Sequence, residues 1–295
     1  MEKYLVTILT PTYNRRNYLI NLYNSLLNQT NKLFKWMIVD DGSTDGTDQL
    51  IDEIKEEKNI YIEYFYKENG GKHTALNIGF KQVSTYFTFI VDSDDVLTED
   101  AVENIYKYFQ IVNDNNLCGM AFLRGYTKDK CIGDKFPEDE VIDNNINVRI
   151  KKNVSGDKAE IWRTDILRKY QFPVFPHEHF QGENYVWTQI ALNYDMFYVN
   201  KIIYITKYLD GGLTKSGRAM RLNNPLGGMA NSKTSLDRRL PIKMRIKGAV
   251  LFDIYGYKAG YKLNKILIQS GYPLITFFSA IPARLIYQYW KMKYL

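Results

Sequence analysis

Residues 36–47 read W-M-I-V-D-D-G-S-T-D-G-T, an apolar run that ends in a polar turn and leads into a helix. The run Trp36–Val39 is typical of a buried strand, and Gly42 permits the tight turn that follows it. Asp45 or Thr47 is suited to cap the helix after that turn. This unit of strand, turn and helix decides the fold, because similar units lie on both sides of it.

The predicted elements alternate regularly over the first hundred residues. The strands are Leu5–Thr10, Trp36–Val39, Ile60–Tyr66 and Tyr86–Val91, and the helices are Tyr18–Gln29, one ending near Lys55, and Thr74–Val83. This alternation favours a mostly parallel sheet with crossover helices. Ligands of such sheets bind at the carboxyl ends of the strands. The polar clusters lie there, at Thr12–Asn14, Asp40–Asp45, Glu68–His73 and Asp92–Asp95.

Bulk composition narrows the class of protein. The chain has 295 residues, 45% of them hydrophobic, which suits one large domain or one domain with an appendage. Its two cysteines, Cys118 and Cys131, form neither a disulfide framework nor a zinc pattern, so we expect a cytoplasmic protein. The N-terminus lacks the apolar core of a signal peptide. No G-x-G-x-x-G follows a strand, which argues against a dinucleotide-binding dehydrogenase.

The run Asp92-Ser93-Asp94-Asp95 follows a predicted buried strand. Ionised carboxylates held this close repel one another unless a cation or water lies between them. Their hard oxygens suit Mg²⁺ or Mn²⁺, which typically also takes oxygens from a diphosphate. A solvated turn, in which Asp95 caps the next helix, explains the same residues.

Two further turns suit a nucleotide. Asp41 can accept a hydrogen bond from a base N–H, such as the imide of uracil. Tyr13, in the run Pro11-Thr12-Tyr13-Asn14, is placed to lie on a base. A plain turn and ordinary packing are the alternatives for these residues.

Four segments carry a resemblance when they are taken together. They read V-T-I-L-T-P-T-Y-N at 6–14, V-D-D-G-S-T-D-G-T at 39–47, E-N-G-G-K-H-T-A-L-N-I-G at 68–79 and V-D-S-D-D at 91–95. In order and spacing they resemble the large inverting family-2 glycosyltransferases of the GT-A fold, as found in bacterial cell-surface polysaccharide synthesis. The resemblance covers roughly residues 4 to 105, and more loosely reaches about residue 210. It implies a nucleotide-sugar donor, most often UDP-linked, and a divalent metal.

The resemblance also assigns roles to individual residues. Thr12 and Tyr13 match the donor-pocket turn, and Asp41 matches the acidic residue that reads the base. Asp92 and Asp94 match the D-x-D pair, with Asp94 the more direct metal ligand.

Gly70-Gly71-Lys72-His73 opens the third helix. The N–H of Gly71 and the charge of Lys72 suit an anion such as the donor's diphosphate. A flexible helix start is the alternative for this segment.

An inverting transfer needs a base that takes the proton of the acceptor hydroxyl. The family places an acidic residue at the start of a later helix, and Gln181-Gly182-Glu183-Asn184 resembles that segment. Asn184 departs from the usual Glu-Asp pair. We therefore expect Glu183 to be the base, with Glu178 and Asp157 as rivals and helix capping as the alternative role for Glu183.

His177-Glu178-His179 lacks helical zinc spacing, because the two histidines are two residues apart in a Pro-rich turn. His179 remains a candidate further ligand of the same divalent ion. A surface or structural role is the more frequent one for such histidines.

Residues 211–233 contain five glycines and almost no periodicity, which predicts a long loop. Such a loop fits a lid whose Lys215, Arg218 and Arg221 neutralise the diphosphate and exclude water from the sugar–phosphate bond. A plain surface loop is the alternative.

The charge of the chain is uneven. Residues 233–295 hold twelve Lys or Arg against two Asp, a balance of +10, so the rest of the chain is near −4. Apolar stretches alternate with these basic residues, and the longest run is too short to span a bilayer. We expect a membrane surface as partner, not nucleic acid. A helical appendage packed on the catalytic domain or on a second copy of the chain is the alternative.

The sequence thus predicts a Rossmann-like GT-A domain over residues 1–230, with a donor half at 1–105 and an acceptor half at 106–230. A basic helical tail follows at 231–295. The predicted enzyme moves a sugar from a UDP-sugar to a glycan or lipid-linked glycan, peripherally on the inner face of the plasma membrane. Its oligomeric state is left open. A catalytically silent scaffold and a sugar-phosphate nucleotidyltransferase are the rivals, although the latter lacks its Gly-rich basic loop after strand one.

Overall fold

The computed structural model describes residues 4–206 and 213–294. Within them the chain forms two compact units, one of residues 4–171 with 193–206 and the other of residues 172–192 with 213–294. The predicted boundary near residue 230 falls inside a helix of the second unit, Pro225–Thr234.

The first unit is built on a nine-stranded sheet. The strands are β1 (Val6–Thr12), β2 (Phe34–Asp40), β3 (Tyr61–Tyr66), β4 (Phe87–Ile90), β5 (Val96–Leu97), β6 (Gly119–Gly125), β7 (Val141–Asp143), β8 (Lys158–Arg163) and β9 (Met196–Ile205). The α-helices are α1 (Arg16–Leu27), α2 (Thr47–Glu56), α3 (Lys72–Gln82), α4 (Ala101–Asp114) and α5 (Thr164–Leu167), and a π-helix covers Asn147–Lys151.

The strand order is β3-β2-β1-β4-β8-β6-β9-β5, with β7 beside β9. Strands β1 to β4 are parallel, as predicted, with Thr12 opposite Asp40 and Leu9 opposite Ile90. Strand β8 is antiparallel to both β4 and β6, so the second half of the sheet is mixed. The α/β fold class, with a central sheet and flanking helices, is confirmed. Because β1 has β2 on one side and β4 on the other, the chain reverses its direction of winding there, where α/β sheets bind ligands.

The core explains why these segments take these forms. Every residue of β1 is buried, so the strand reads as a continuous run instead of an alternating one. In α1 the buried residues are Leu19, Leu22, Tyr23 and Leu26, the spacing of one helical face. Trp36 of β2 packs into the same cluster and donates a hydrogen bond from its ring nitrogen to Thr10 at 3.0 Å.

The second unit is helical in its described part. Its helices are α6 (Asn184–Ala191), α7 (Leu213–Leu222), α8 (Pro225–Thr234), α9 (Ile242–Lys258), α10 (Leu263–Ser270) and α11 (Pro273–Tyr294). The last three confirm a helical C-terminal region. Their core includes Phe252 and Tyr255 of α9, Ile266 of α10 and Ala283 of α11. No helix among the described residues combines the length and apolar composition needed to cross a bilayer.

The prediction of a long loop at 211–233 is wrong for its described part, which holds most of α7 and α8. Helix α7 is kinked at Gly217, whose φ is +41°. Helix α8 contains Gly227 and Gly228, poor helix formers that explain the misprediction. A carboxylate distant in sequence offsets this low helix propensity. Glu178 accepts hydrogen bonds from the N–H groups of Leu226 and Gly227, both at 2.7 Å. A negative charge at a helix N-terminus stabilises the helix. Residues 211 and 212 lie outside the described residues.

A buried carboxyl group joins α9 to α11. Asp253 is fully buried and accepts a hydrogen bond from the Ser279 hydroxyl at 2.5 Å. Burial raises the pKa of Asp253 to about 7, although the Ser279 hydrogen bond acts in the opposite direction. The folded protein therefore holds this proton between about pH 4 and pH 7, where the unfolded chain releases it.

We expect Asp253→Asn to gain stability relative to the wild type as the pH rises from about 4 to 7. In that window the folded state of the wild type binds more protons than its unfolded state, so this group's contribution to stability falls as the pH rises. A change of up to about 4 kcal/mol corresponds to a pKa difference of about three units. Urea unfolding of both proteins at pH 4.5 and pH 8 measures it, and a difference that is the same at both pH values would contradict the assignment.

Candidate functional site

The carboxyl ends of three neighbouring strands bring the predicted donor residues to one edge of the first unit. Thr12 ends β1 and Asp40 ends β2, while Asp92 follows β4 by two residues. The N–H of Asp41 donates to the Thr12 carbonyl at 2.8 Å, which joins the first two turns. The parallel pairing predicted from the sequence therefore places these side chains in one region.

Asp41 is the centre of a dense hydrogen-bond network. Its buried carboxylate accepts from the N–H of Gly71 at 2.7 Å and from that of Gly70 at 3.0 Å. The Asn69 amide and the Lys67 ammonium also donate to it. A carboxylate has about four acceptor sites, and all are engaged in this structure. Asp41 therefore fastens the 67–71 loop to the end of β2, and a base N–H would have to replace one of these donors.

The same loop approaches the turn after β2 so closely that only glycine fits. Gly42 has a φ of +88°, and an added Cβ would lie 2.8 Å from the Asn69 nitrogen. The N–H of Gly71, expected to face an anion, points instead at Asp41. The N–H of Gly71 is therefore already engaged, and the Lys72 side chain is the other group predicted to meet an anion at the start of α3.

The turn after β1 presents an aromatic ring. Asn14 adopts a left-handed conformation, with φ +50°, and its side chain accepts from the Thr44 N–H at 2.8 Å. Its own N–H donates to the Ser43 hydroxyl at 2.8 Å. These bonds hold the turn while Tyr13, next to it, remains 49% exposed. Thr12 is buried, and its hydroxyl has no hydrogen-bond partner among the described residues.

Lys72 and Asp92 form an ion pair at the start of α3. Their Nζ and Oδ1 atoms are 2.6 Å apart, and both side chains are only partly exposed. Burial alone would raise the pKa of Asp92, but the charges of Lys72 and Arg124 outweigh it and hold that pKa below its usual value. The sequence predicted both residues for donor binding, and the structure brings them together.

The pKa values of Asp94 and Asp95 are raised, in contrast to that of Asp92. Burial and the charge of Asp92 raise the pKa of Asp94. The same two causes raise the pKa of Asp95 to about 7, although Tyr204 and Arg124 counteract them. The Tyr204 hydroxyl donates to Asp95 at 2.7 Å and accepts the Asp92 N–H at 2.9 Å. Asp95 is thus bonded within the sheet, and Asp94 is left half-buried beside another negative charge.

This arrangement fits a divalent cation. Two hard carboxylates lie here, and negative charge is unfavourable at Asp94, whose pKa is raised by burial and by the charge of Asp92. No group of three or more His, Cys, Asp or Glu that could enclose a metal occurs in the described parts of the chain. Mg²⁺ and Mn²⁺ suit such a site, because Mg²⁺ is usually held by one or two carboxylates together with substrate phosphates.

Sequence reasoning missed Tyr204 and Arg124. Arg124 of β6 lies opposite Tyr204 of β9, and its guanidinium stacks over the Tyr204 ring at 4.0 Å. Burial lowers the pKa of Arg124, but Tyr204 and the negative neighbours Asp92, Asp95 and Asp157 outweigh it, so that this pKa is raised. Asp157, a rival candidate for the base, is therefore part of the electrostatic surroundings of the first unit's site. Only the pairing of β6 with β9 reveals this group, and no local motif marks it.

The second unit carries the other base candidates. Glu183 immediately precedes α6, and its side chain makes no capping hydrogen bond to that helix. Both oxygens of Glu178 are bonded to the N-terminus of α8, which makes Glu178 a structural residue. The N–H of His179 donates to Asn224 at 2.8 Å, so the backbone there is held by the same helix start. The role of His179 as a metal ligand stays a prediction.

Arg218, predicted to meet the diphosphate, packs within the second unit. Its guanidinium lies 5.0 Å from the Trp290 ring and donates to the Tyr294 hydroxyl at 3.1 Å. Lys215 has a side chain outside the described residues. The lid function of residues 211–233 stays a prediction.

Comparison with known proteins decides the family. The profile described as "Glycosyl transferase family 2" matches residues 7–162, more than half of the chain. The chain belongs to glycosyl transferase family 2. The matched region covers β1 to β8, and with them Thr12, Asp41, Lys72, Asp92 and Asp94.

Curated relatives match this family 2 chain over part of their length. The glycosyltransferase GlyA of Streptococcus pneumoniae is 38% identical over 104 residues, 35% of this chain and 14% of that protein. The poly(ribitol-phosphate) beta-N-acetylglucosaminyltransferase TarS of Staphylococcus aureus is 27% identical over 187 residues, 63% of this chain and 32% of that protein. The chain spans between 14% and 48% of the length of the relatives compared.

Solved structures confirm the GT-A fold of this family 2 chain. S. aureus TarS 1–349 in complex with UDP-GlcNAc aligns with a TM-score of 0.63 at 20% identity, over 95% of this chain and 79% of that one. The mannosyltransferase PcManGT of Pyrobaculum calidifontis, in complex with GDP-Man and Mn²⁺, aligns with a TM-score of 0.56 at 16% identity, over 97% of this chain and 83% of that one.

Proposed function

We propose that this chain is an inverting glycosyltransferase that moves a sugar from a UDP-sugar to a hydroxyl of a glycan or a lipid-linked glycan. The observation that carries the proposal is the Lys72–Asp92 pair beside Asp94, at the edge of the sheet in a family 2 domain. Cationic and carboxylate groups at one strand end are what a metal–diphosphate leaving group requires. The S. aureus relative, whose structure holds UDP-GlcNAc, supports a uridine nucleotide.

In the proposed reaction the residues at the strand ends bind the metal ion, the diphosphate and the base. Asp94, assisted by Asp92, would hold Mn²⁺ or Mg²⁺, which when bound offsets the charge that develops on the departing UDP. Lys72 lies at the start of α3 and supplies a further positive charge for the diphosphate, on release from its pair with Asp92. Tyr13 offers its exposed ring to the base, and Asp41 holds the loop around it.

Glu183 is the proposed base that takes the acceptor proton as the new bond forms. It directly precedes α6, the position that the family resemblance gives to an acidic residue. The carboxylate that would compete with it in the same unit, Glu178, is committed to α8. This supports Glu183 over Glu178, while Asp157 remains to be separated by mutation.

We further propose that the enzyme works peripherally at the inner face of the plasma membrane, with residues 233–295 at the surface. The basic charge of this segment and its helical form support the proposal. A lipid-linked glycan acceptor would place the hydroxyl group at the same surface.

We expect UDP to bind the purified chain only when Mn²⁺ or Mg²⁺ is present. Lys72 is paired with Asp92, so without a metal ion the phosphates would meet the negative charge of Asp94. Calorimetric titration of UDP with Mn²⁺ and with EDTA measures this. GDP and dTDP serve as controls for the base. Failure of all three nucleotides to bind with metal would favour a catalytically silent scaffold, which Asn184 in place of the family's acidic residue keeps under consideration.

A further inference from the structure

Helix α11 carries large apolar side chains on its outer face as well as on the face that packs against the second unit. Its buried residues are small or polar: Thr276, Ser279, Ala280 and Ala283. Ile286, Tyr287 and Trp290 pack partly buried against the core of the second unit. Six other large apolar side chains are between 52% and 81% exposed: Leu274, Phe278, Ile281, Leu285, Tyr289 and Met292. Large exposed apolar patches mark interaction sites. We call these six outward residues the α11 stripe.

The α11 stripe is continuous along the helix. Its members follow one another at intervals of three or four residues, and at 3.6 residues per turn they fall within a sector of about 80°. The buried residues Ser279, Ala280 and Ala283 lie on the opposite side. Phe277, which is 56% exposed, widens the stripe on one flank. The stripe therefore runs along most of a 22-residue helix.

Basic side chains flank the stripe. Arg284 and Lys291 lie on one side of it and Lys293 on the other, and all three are exposed. Residues 254–295 contain six Lys or Arg and no Asp or Glu. An apolar face bordered by cations is the pattern of helices that lie in the interface of an anionic membrane.

Two alternatives fit the stripe less well. A second copy, packed on the same stripe about a two-fold axis, would bring equivalent basic flanks together without an acidic partner from this segment. Insertion across the bilayer would bury Arg284 and would expose the polar face of Thr276 and Ser279 to hydrocarbon.

We propose that the α11 stripe inserts its side chains into the headgroup region of an anionic lipid bilayer, with α11 lying in the membrane plane. The inference deepens the proposed function and rests on it for its biological meaning, since it names the surface at which a lipid-linked acceptor would be met. Asp253 and Ser279 orient the helix, because their hydrogen bond holds the small face of α11 against α9.

Co-sedimentation of the full chain with phosphatidylglycerol/phosphatidylcholine vesicles and with pure phosphatidylcholine vesicles tests the proposal. We expect binding to the anionic vesicles and at least about tenfold weaker partitioning for the double variant Phe278→Glu/Leu285→Glu, which loses apolar burial and adds charge. The control is Val174→Glu, which places one such charge at an exposed apolar residue of the same unit and should leave partitioning unchanged. Circular dichroism shows whether each variant is folded.

A second variant tests the basic flanks without replacing any residue of the stripe. Lys291→Gln/Lys293→Gln should lower partitioning onto anionic vesicles about 30-fold, the equivalent of about 2 kcal/mol at about 1 kcal/mol per basic residue. Partitioning onto neutral vesicles should be unaffected. Equal binding of wild type and both double variants, or no binding of the wild type to anionic vesicles, would overturn the proposal.

Sedimentation equilibrium and UDP titration separate the remaining outcomes. A wild-type dimer that Phe278→Glu/Leu285→Glu converts to a monomer would overturn the lipid assignment in favour of a second copy. UDP titration with Mn²⁺ on each preparation reports on the donor site alone. Vesicle binding without UDP binding would contradict the proposed function and leave the α11 assignment standing.

Discussion

Replacing Asp94 by alanine should lower sugar transfer by about a thousandfold and remove the metal dependence of UDP binding. Asp94 is the half-buried carboxylate whose pKa is raised by burial and by Asp92, and a divalent cation would relieve that repulsion. Losing a preorganised group that stabilises developing charge typically costs a factor of about 10² to 10³. Initial rates with UDP-sugars, together with UDP calorimetry in Mn²⁺ and in EDTA, measure both effects.

The free protein should tolerate this change, since a carboxylate with a raised pKa is destabilising when ionised. Asp94→Ala should therefore unfold at the same temperature as the wild type or a higher one. Asp52→Ala, which removes an exposed carboxylate from α2, is the matched control and should leave transfer intact. Unchanged metal-dependent UDP binding in Asp94→Ala would refute the metal role of this residue.

Glu183→Gln should remove most transfer, by about 10² to 10⁴-fold, while UDP binding is retained. The substitution keeps the size of the side chain but takes away the group that would accept the acceptor's proton. Circular dichroism and the unfolding temperature show whether the variant is folded. The decisive comparison is between transfer rate and UDP affinity in the same preparation.

Glu178→Gln and Asp157→Asn complete this test. Glu178 holds the N-terminus of α8 through two hydrogen bonds, so the main effect of Glu178→Gln should be a lower unfolding temperature. Asp157 is exposed in the first unit and raises the pKa of Arg124, so its variant should remain folded. If Glu183→Gln keeps its activity and Asp157→Asn loses it, the base belongs to the first unit.

Local pattern was sufficient for the half of the fold that is parallel. The apolar runs of β1, β2 and β4 are bounded by turn residues, and each leads to a polar cluster, so strand pairing and the location of the site follow together. The proximity of Lys72 and Asp92 was predictable for the same reason, while their role in donor binding stays a prediction.

Long-range contacts explain what local pattern missed. Helix α8 has a Gly-rich sequence, and the carboxylate that supports it, Glu178, lies 47 residues before the start of the helix. Arg124 and Tyr204 reach Asp95 only because β6 pairs with β9. The network around Asp41 could not be predicted either, since the backbone N–H groups that it binds carry no side-chain signal.

The hydrogen bonds from Gly70 and Gly71 to Asp41 should raise the affinity for the donor. A loop that is already fastened loses little conformational freedom when a nucleotide arrives, so less of the contact energy is spent on ordering it. The 67–71 loop is thus in place before a nucleotide binds. The nucleotide site of this chain should therefore be preorganised. We expect the calorimetric entropy of UDP binding to lack the large unfavourable contribution of a loop that folds on binding.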